Sequence, residues 1–322
     1  MDTTATIPSG VNNFYDRAML EKAKPALLHT LFAQVRDIPK NNSETIKFRR
    51  YGSLAAATTP LSEGITPAGS SLTYTDITAS IEQYGDFLTL TDKLQMTTLD
   101  PILTETAEVL GDQAGLTIDT LMRDALVAGS SVQYASTAVS TITVAATMKL
   151  TTAEVAEAIL TLKLANAKKI TSMVDPDSGY DTTPVNSCFV GIIHPQGTSN
   201  LNTEAAATKR FVSVEHYANK ANLLPSEVGY VDEVRFMEST NAKIKAGAGA
   251  AGIDVYVTLI FGMNAYGSTR ISGEALTNII KPLGSGGTND PLNQRSTSGW
   301  KATFVGKVLN SAWIVRIEHA IA

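Results

Sequence analysis

The chain has 322 residues, 43% of them apolar and 18% charged, which is enough for one large domain or two modest ones with a buried core. Its 26 basic and 31 acidic residues give a formal net charge of -5, which argues against a protein that grips nucleic acid by neutralising phosphates. A single cysteine excludes an internal disulfide and any multi-cysteine zinc site, and no apolar stretch reaches the ~18 residues of a membrane span. The opening MDTTATIPSG has no basic segment followed by an apolar run, so no signal peptide is expected and the cytosol is the expected site of synthesis.

Residues 1–42 combine a polar start with a short helical patch in which Ala18, Met19, Ala23, Ala26, Leu27 and Leu31 recur at helical spacing around Pro25. Strand-like runs follow at 44–51 and 72–90. Between them GSLAAATTPLSEGITPAGSS supplies about twenty residues of small and turn-forming types. A structureless loop of that length is uncommon inside a compact domain and reads as a projecting arm.

Asp100-Pro101 opens the clearest helix, with the aspartate as cap and proline at the first helical position, where its missing N–H is no loss. Leu103, Ala107, Leu110, Ala114, Ile118, Leu121 and Ala125 mark its buried stripe and Gly129 its stop, roughly 28 residues and ~42 Å. Gly111 and Gly115 each cost ~1 kcal/mol relative to alanine, which predicts close packing or a bend at those points. Residues 137–144 alternate as a strand. Thr151 and Glu154 form a capping box that opens a second helix, with Val155, Ile159, Leu162 and Ala165 inward and Lys168-Lys169 near its C-terminal end.

Short strands are expected at 187–194, 230–237, 253–262 and 278–281, with a helix running into a strand over 203–217. After the Asp290-Pro291 turn, Trp300, Ala302, Phe304, Gly306 and Val308 alternate with polar or smaller residues. Asn310-Ser311 then turns the chain, and Trp313, Val315 and Ile317 alternate again. That pattern predicts a closing two-stranded hairpin carrying both tryptophans.

The chemical motifs are weak. GAGAAG at 247–252 matches G-x-G-x-x-G literally, but a dinucleotide site needs a strand before it and a helix after it, and here a polar run precedes and a strand follows. Asp175, Asp177 and Asp181 fail calcium-loop spacing, since Asn186 stands where the bidentate glutamate belongs. Cys188 and His194 lie roughly 20 Å apart along one extended run, so the cysteine reads as core. His29, His216 and His319 have no partners at ligand spacing. Lys47, Arg49 and Arg50 with Phe48 and Tyr51 form a basic-aromatic cluster that suits a solvated strand more simply than a nucleic-acid patch.

The string DPLNQR at 290–295, GWK at 299–301, VLN at 308–310, Trp313 and VRIE at 315–318 resembles the C-terminal signature of tailed-bacteriophage major capsid proteins. FGMNAYGSTRIS at 261–272 is also similar to that family. The resemblance implies an α+β phage major capsid fold. It assigns an N-terminal arm to 1–42, an extended hairpin loop to 43–93, a peripheral domain with a spine helix to 94–170, an axial domain with a mixed sheet to 171–290 and a closing hairpin to 291–322. It further implies a non-enzymatic shell subunit, without cofactor or metal, that assembles into hexamers and pentamers of an icosahedral head enclosing double-stranded DNA, in the virion after assembly in the host cytoplasm. A separate scaffolding protein and a portal are the implied partners, with room for a decoration or cement protein.

Leu61, Ile65 and Pro67 at the loop tip and Phe14 and Tyr15 in the arm are the expected contacts between copies. Asp290, Pro291, Arg295, Trp300, Lys301, Trp313 and Arg316 are the motif residues expected to hold structure. Residues 52–71 contain no lysine, so covalent locking through the loop is not expected. Two other readings stand beside this one: a nanocompartment shell of the same fold, and a nucleotide-dependent enzyme using the 247–252 loop.

Overall fold

The computed structural model describes residues 19, 27–41, 43–52, 54–61, 63–64, 66, 68–97, 102–174, 182–208, 210–217, 223–272, 276–286 and 290–321. The chain begins with strands β1 (Gln34–Ile38), β2 (Thr45–Tyr51), β3 (Tyr74–Ser80) and β4 (Glu82–Thr91), then helices α1 (Asp92–Thr97) and α2 (Ile102–Gly129). The middle holds β5 (Ser131–Tyr134), α3 (Thr152–Leu164), β6 (Ile170–Val174), β7 (Thr182–Ile193), α4 (Pro195–Thr208), β8 (Phe211–Ser213), β9 (Glu227–Val231) and β10 (Val234–Glu238). The last strands are β11 (Ile244–Lys245), β12 (Val255–Phe261), β13 (Tyr266–Ile271), β14 (Leu276–Lys281), β15 (Arg295–Val308) and β16 (Ile314–His319).

Strand β15, 14 residues long, is the axis of a five-stranded sheet. Its first ten residues pair antiparallel with β4 on one side, its middle pairs with β14 on the other, and its last four pair with β13, which β1 joins in parallel. A nine-stranded mixed sheet has the order β5-β16-β12-β7-β10-β9-β8, with β11 beside β12 and β6 beside β7. Strands β2 and β3 form a separate two-stranded ribbon.

Helix α2 spans the 28 residues that its apolar stripe and terminal glycine predict. Leu110 and Ala114 pack against Trp300 and Ala302, and Met122 and Leu126 continue into the main core with Phe261, Tyr266 and Phe304. Gly111 explains itself: a Cβ there would stand 2.5 Å from the Met19 carbonyl oxygen, so close packing is the reason for the glycine. The Asp100-Pro101 cap lies outside the described residues. A buried network ties the segment before β1 to this helix: His29 N and Nδ1 bond the two Asp119 oxygens at 2.8 Å each, Asn241 donates to Asp119 at 2.8 Å, and Tyr266 donates to the His29 carbonyl. Helix α3 starts at the Thr151/Glu154 capping box and buries Val155, Ala158, Ile159 and Leu162 against the nine-stranded sheet.

Four local expectations change. Strands β15 and β16 do not form a hairpin. The N–H groups of Leu309 and Asn310 both donate to the Ala265 carbonyl at 2.9 Å, a 3-10 turn follows at Ser311–Trp313, and β16 then pairs with β12 and β5 in the other sheet. Residues 137–144 are not a strand, because Thr143 Oγ1 accepts the N–H groups of Val139 and Ser140 at 3.1 Å and curls the segment into a short 3-10 turn. The run 72–90 divides at Ile81, whose N–H bonds the Glu44 carbonyl. The run 230–237 is two antiparallel strands, β9 and β10, joined at Asp232, which takes a left-handed φ of 50°.

His319 sits fully buried in β16, with Nε2 3.0 Å from the Thr258 hydroxyl and Nδ1 3.1 Å from the Ala320 carbonyl. Burial depresses its pKa from 6.5 to about 4. The unfolded chain therefore takes up a proton near pH 6.5 that the native chain refuses until about pH 4, so stability falls as pH drops through that window. Urea unfolding of the unassembled subunit at pH 7 and pH 5 should reveal a share of about 2 kcal/mol from this residue, and His319→Gln should remove that share of the pH dependence.

Candidate assembly interface

The ribbon of β2 and β3 is anchored at one end only. Phe48 is buried with Ala79 and Leu309 beside Val305, and its ring lies over Gly267, where a Cβ would come within 2.9 Å of it. The ribbon base thus covers the far end of the outer face of β15. On the ribbon's exposed side Arg49 pairs with Asp76 at 2.9 Å and lies over the Tyr74 ring at 4.6 Å. Hydrogen bonding from Arg49 holds the Asp76 carboxyl below its usual range. The basic-aromatic cluster is therefore largely spent inside the ribbon.

Beyond the bond from Gly52 N–H to the Thr73 carbonyl, no described residue of 53–72 is in a helix or strand. Leu61 is 78% exposed and Leu54 59%, so this apolar tip finds no cover in its own chain. An isolated two-stranded ribbon is marginal in water, and an exposed apolar tip adds a reason for a partner. Ile65, Pro67, Phe14 and Tyr15 lie outside the described residues.

The five-stranded sheet has two unlike faces. On the helix side Trp300 Nε1 donates to Gln113 Oε1 at 3.0 Å, and Gln113 Nε2 donates to Asp86 at 2.7 Å. On the other side Phe87, Gly299 and Ile279 stand in one row across β4, β15 and β14, because directly paired residues share a face. Phe87 is 65% exposed and Ile279 45%. Arg295, Lys301 and Lys281 occupy the same face, all exposed. Phe87 and Ile279 escaped the sequence reading, because each is a single apolar side chain among threonine, glycine, glutamine or lysine on the outward face of its strand.

Two other motifs are taken up by the fold itself. The 247–252 loop ends in a 3-10 turn at Ala250–Gly252 and runs straight into β12. Gly247 N–H, which a pyrophosphate would need, donates to Asp254 at 2.8 Å. Cys188 is buried in the core, and desolvation pushes its thiol up to about 11. Asp175, Asp177 and Asp181 lie outside the described residues. Among those described, no cluster of His, Cys, Asp and Glu could hold a metal ion, and no helix is long and apolar enough to cross a membrane.

No protein-family model and no curated protein matches this sequence. Solved structures do. The capsid of Ralstonia phage GP4 superposes with a TM-score of 0.72 at 12% identity, over 89% of this chain and 87% of that one. The Cyanophage Pam1 capsid gives 0.66 at 15% identity over 94% and 92%, and the head of Helicobacter pylori bacteriophage KHP40 gives 0.66 at 11% over 93% and 91%. The chain carries the phage capsid fold.

Three of the C-terminal residues, Asp290, Trp313 and Arg316, make contacts that tie elements together. Asp290 is buried, and its carboxylate accepts the N–H groups of Gln294 and Arg295 at 3.1 and 2.8 Å, which launches β15 from the turn at Pro291. Trp313 Nε1 donates to the Ala165 carbonyl at 3.1 Å and so ties β16 to the end of α3. Arg316 donates to the Val127 carbonyl near the C-terminal end of α2, where the helix dipole favours a cation, and pairs with buried Glu318 at 3.0 Å. Glu318 also accepts from Lys245 and Thr141, a buried hub the sequence did not announce. Arg295 and Lys301 are exposed.

Trp300 is the side chain on which this packing turns. Trp300→Ala should destabilise the unassembled subunit by ~3–5 kcal/mol in chemical denaturation. Trp300→Phe, which keeps most of the apolar contact and loses the bond to Gln113, should cost only ~1 kcal/mol.

Proposed function

We propose that this chain is a major capsid protein, a structural shell subunit that assembles into hexamers and pentamers of an icosahedral head around double-stranded DNA. The observation that carries the reading is the phage capsid fold over about nine-tenths of the chain, together with an apolar loop tip that its own subunit leaves uncovered. On this reading residues 1–42 are an arm, 43–93 the extended loop, 94–170 a peripheral domain built on α2, 171–290 an axial domain, and 291–322 the segment that completes the sheets. Leu61, Ile65 and Pro67, with Phe14 and Tyr15, are the contacts between copies.

The role is structural and calls for no catalysis. Association draws on burial across subunits, where each 1,000 Å² of apolar contact contributes up to roughly 25 kcal/mol before ordering costs are subtracted. The absence of lysine from 52–71 fits a shell held without a covalent link through the loop. A separate scaffolding protein, a portal and a decoration protein complete the set of proposed partners, with assembly in the host cytoplasm and residence in the virion.

Electron microscopy of the purified protein is the direct test: closed, regular particles are expected, and a stable monomer with enzymatic turnover would sink the proposal. Deleting residues 58–71 should leave a folded subunit by circular dichroism while closed particles disappear. Particles that form unchanged without those residues would refute the loop's role.

A further inference from the structure

Helix α4 is held by little apolar surface. Leu201 is the one large apolar side chain in its 14 residues, and it joins the core cluster of Ile193, Phe211 and Ile317. Further along, the Glu204 carboxylate accepts the N–H and the hydroxyl of Thr152 at 2.6 and 2.9 Å, which ties α4 to the first turn of α3. A helix of this length is marginal alone in water, so its N-terminal attachment decides whether it stays in place.

That attachment is made by two histidines. The His194 carbonyl accepts the N–H groups of Gly197 and Thr198 at 2.8 and 3.1 Å, its ring Nδ1 accepts that of Gln196 at 3.3 Å, and Pro195 takes the first helical position. The first turn then lies on the other ring: a Cβ at Gly197 would stand 3.4 Å from His319 Cε1 and 2.9 Å from the Ile193 side chain. Tyr256 of β12 packs against both imidazoles, its ring centre 5.1 Å from that of His194 and 6.3 Å from that of His319.

Both rings are neutral in this arrangement. A carbonyl only accepts, so His319 Nδ1 carries the proton given to Ala320 and Nε2 accepts from Thr258, while His194 Nδ1 keeps its lone pair for Gln196. A second proton on either ring would place a cation at the positive end of α4. Two carboxylates face the pair, Glu238 of β10 toward His194 and Glu154 of α3 toward His319. Burial outweighs both and holds each imidazole below the ordinary 6.5, His319 at about 4. The stability the neutral rings contribute is therefore complete above pH 6.5 and is lost as the pH falls toward the folded values.

We propose that His194 and His319 form an acid-operated latch on α4: protonation frees the helix from the nine-stranded sheet while the sheet itself stays paired. The freed helix uncovers Ile193 and Phe211 and withdraws Glu204 from the first turn of α3. The latch lies within one chain, so it stands or falls separately from the shell reading.

Hydrogen exchange of the full-length chain, read by mass spectrometry at pH 7 and pH 5 and corrected for the intrinsic rate at each pH, tests the latch. Amides 196–204 should lose protection about tenfold at pH 5, while 188–193 and 255–261 keep theirs within about twofold. His194→Asn supplies a cap that does not titrate and should cut the loss to about threefold, and His194→Asn with His319→Gln should abolish it. The single variant leaves the core untouched and carries the test alone if the double variant does not fold. An equal loss in the natural chain and His194→Asn, a loss spread alike over α4, β7 and β12, or no loss at pH 5 would each overturn the proposal.

Discussion

Strand β15 constrains nearly everything else. It is bonded along both edges, so the places of β4, β13 and β14, and of β1 through β13, are set by one chain segment. Its inward positions, Trp300, Ala302, Phe304 and Gly306, form the floor on which α2 lies, and Gly306 makes room for Met122, whose sulfur would stand 2.7 Å from a Cβ there. A one-residue slip would drive Lys301 against the helix and turn Trp300 to solvent, so register is held by burial on one side alone. The opposite face inherits its character from that choice: with the large residues turned inward, Gly299 and Lys301 turn outward beside Phe87 and Ile279.

The two ends of that outer face then differ because the ribbon reaches only one of them. Phe48 closes the end near Val305, and the end near Arg295 stays open. Exposed apolar residues are ordinary when scattered, but Phe87 and Ile279 flank Gly299 in one row on the open end of the sheet. Inside the subunit, polar groups are instead spent on fixing elements to one another. Asp119 binds His29 and Asn241, and Glu318 gathers Lys245, Arg316 and Thr141, joining segments far apart in sequence through buried charge that is paired.

Much of this was legible because it is local. The 28-residue stripe of α2 and its closing glycine, the capping box before α3, and the buried runs of β7 and β12 each depend on neighbours within a few residues. Partnership was not legible. Alternation in 300–308 and 313–317 correctly said which side chains turn inward, yet nothing in the spacing says whether two consecutive strands pair with each other or part, and the Ala265 carbonyl that separates them lies 44 residues upstream of Leu309. The threonines of 137–144 misled in the same way, since β-branched residues favour strands until a hydroxyl captures the adjacent backbone. The open face was hidden for a further reason: its apolar residues are not core in one chain, and a single sequence marks them no differently from core.

The parting of β15 and β16 also sets the order of events in synthesis. One supplies the axis of the five-stranded sheet and the other the strand between β5 and β12 in the nine-stranded sheet, and both lie between residues 295 and 319. Neither sheet can close while those residues are still within the ribosome. The helices can form early, but the apolar faces made for these two strands wait uncovered until the end. Folding of this subunit is therefore governed by long-range closure, which is slow, and the interval before it is when a chaperone would find the most to hold.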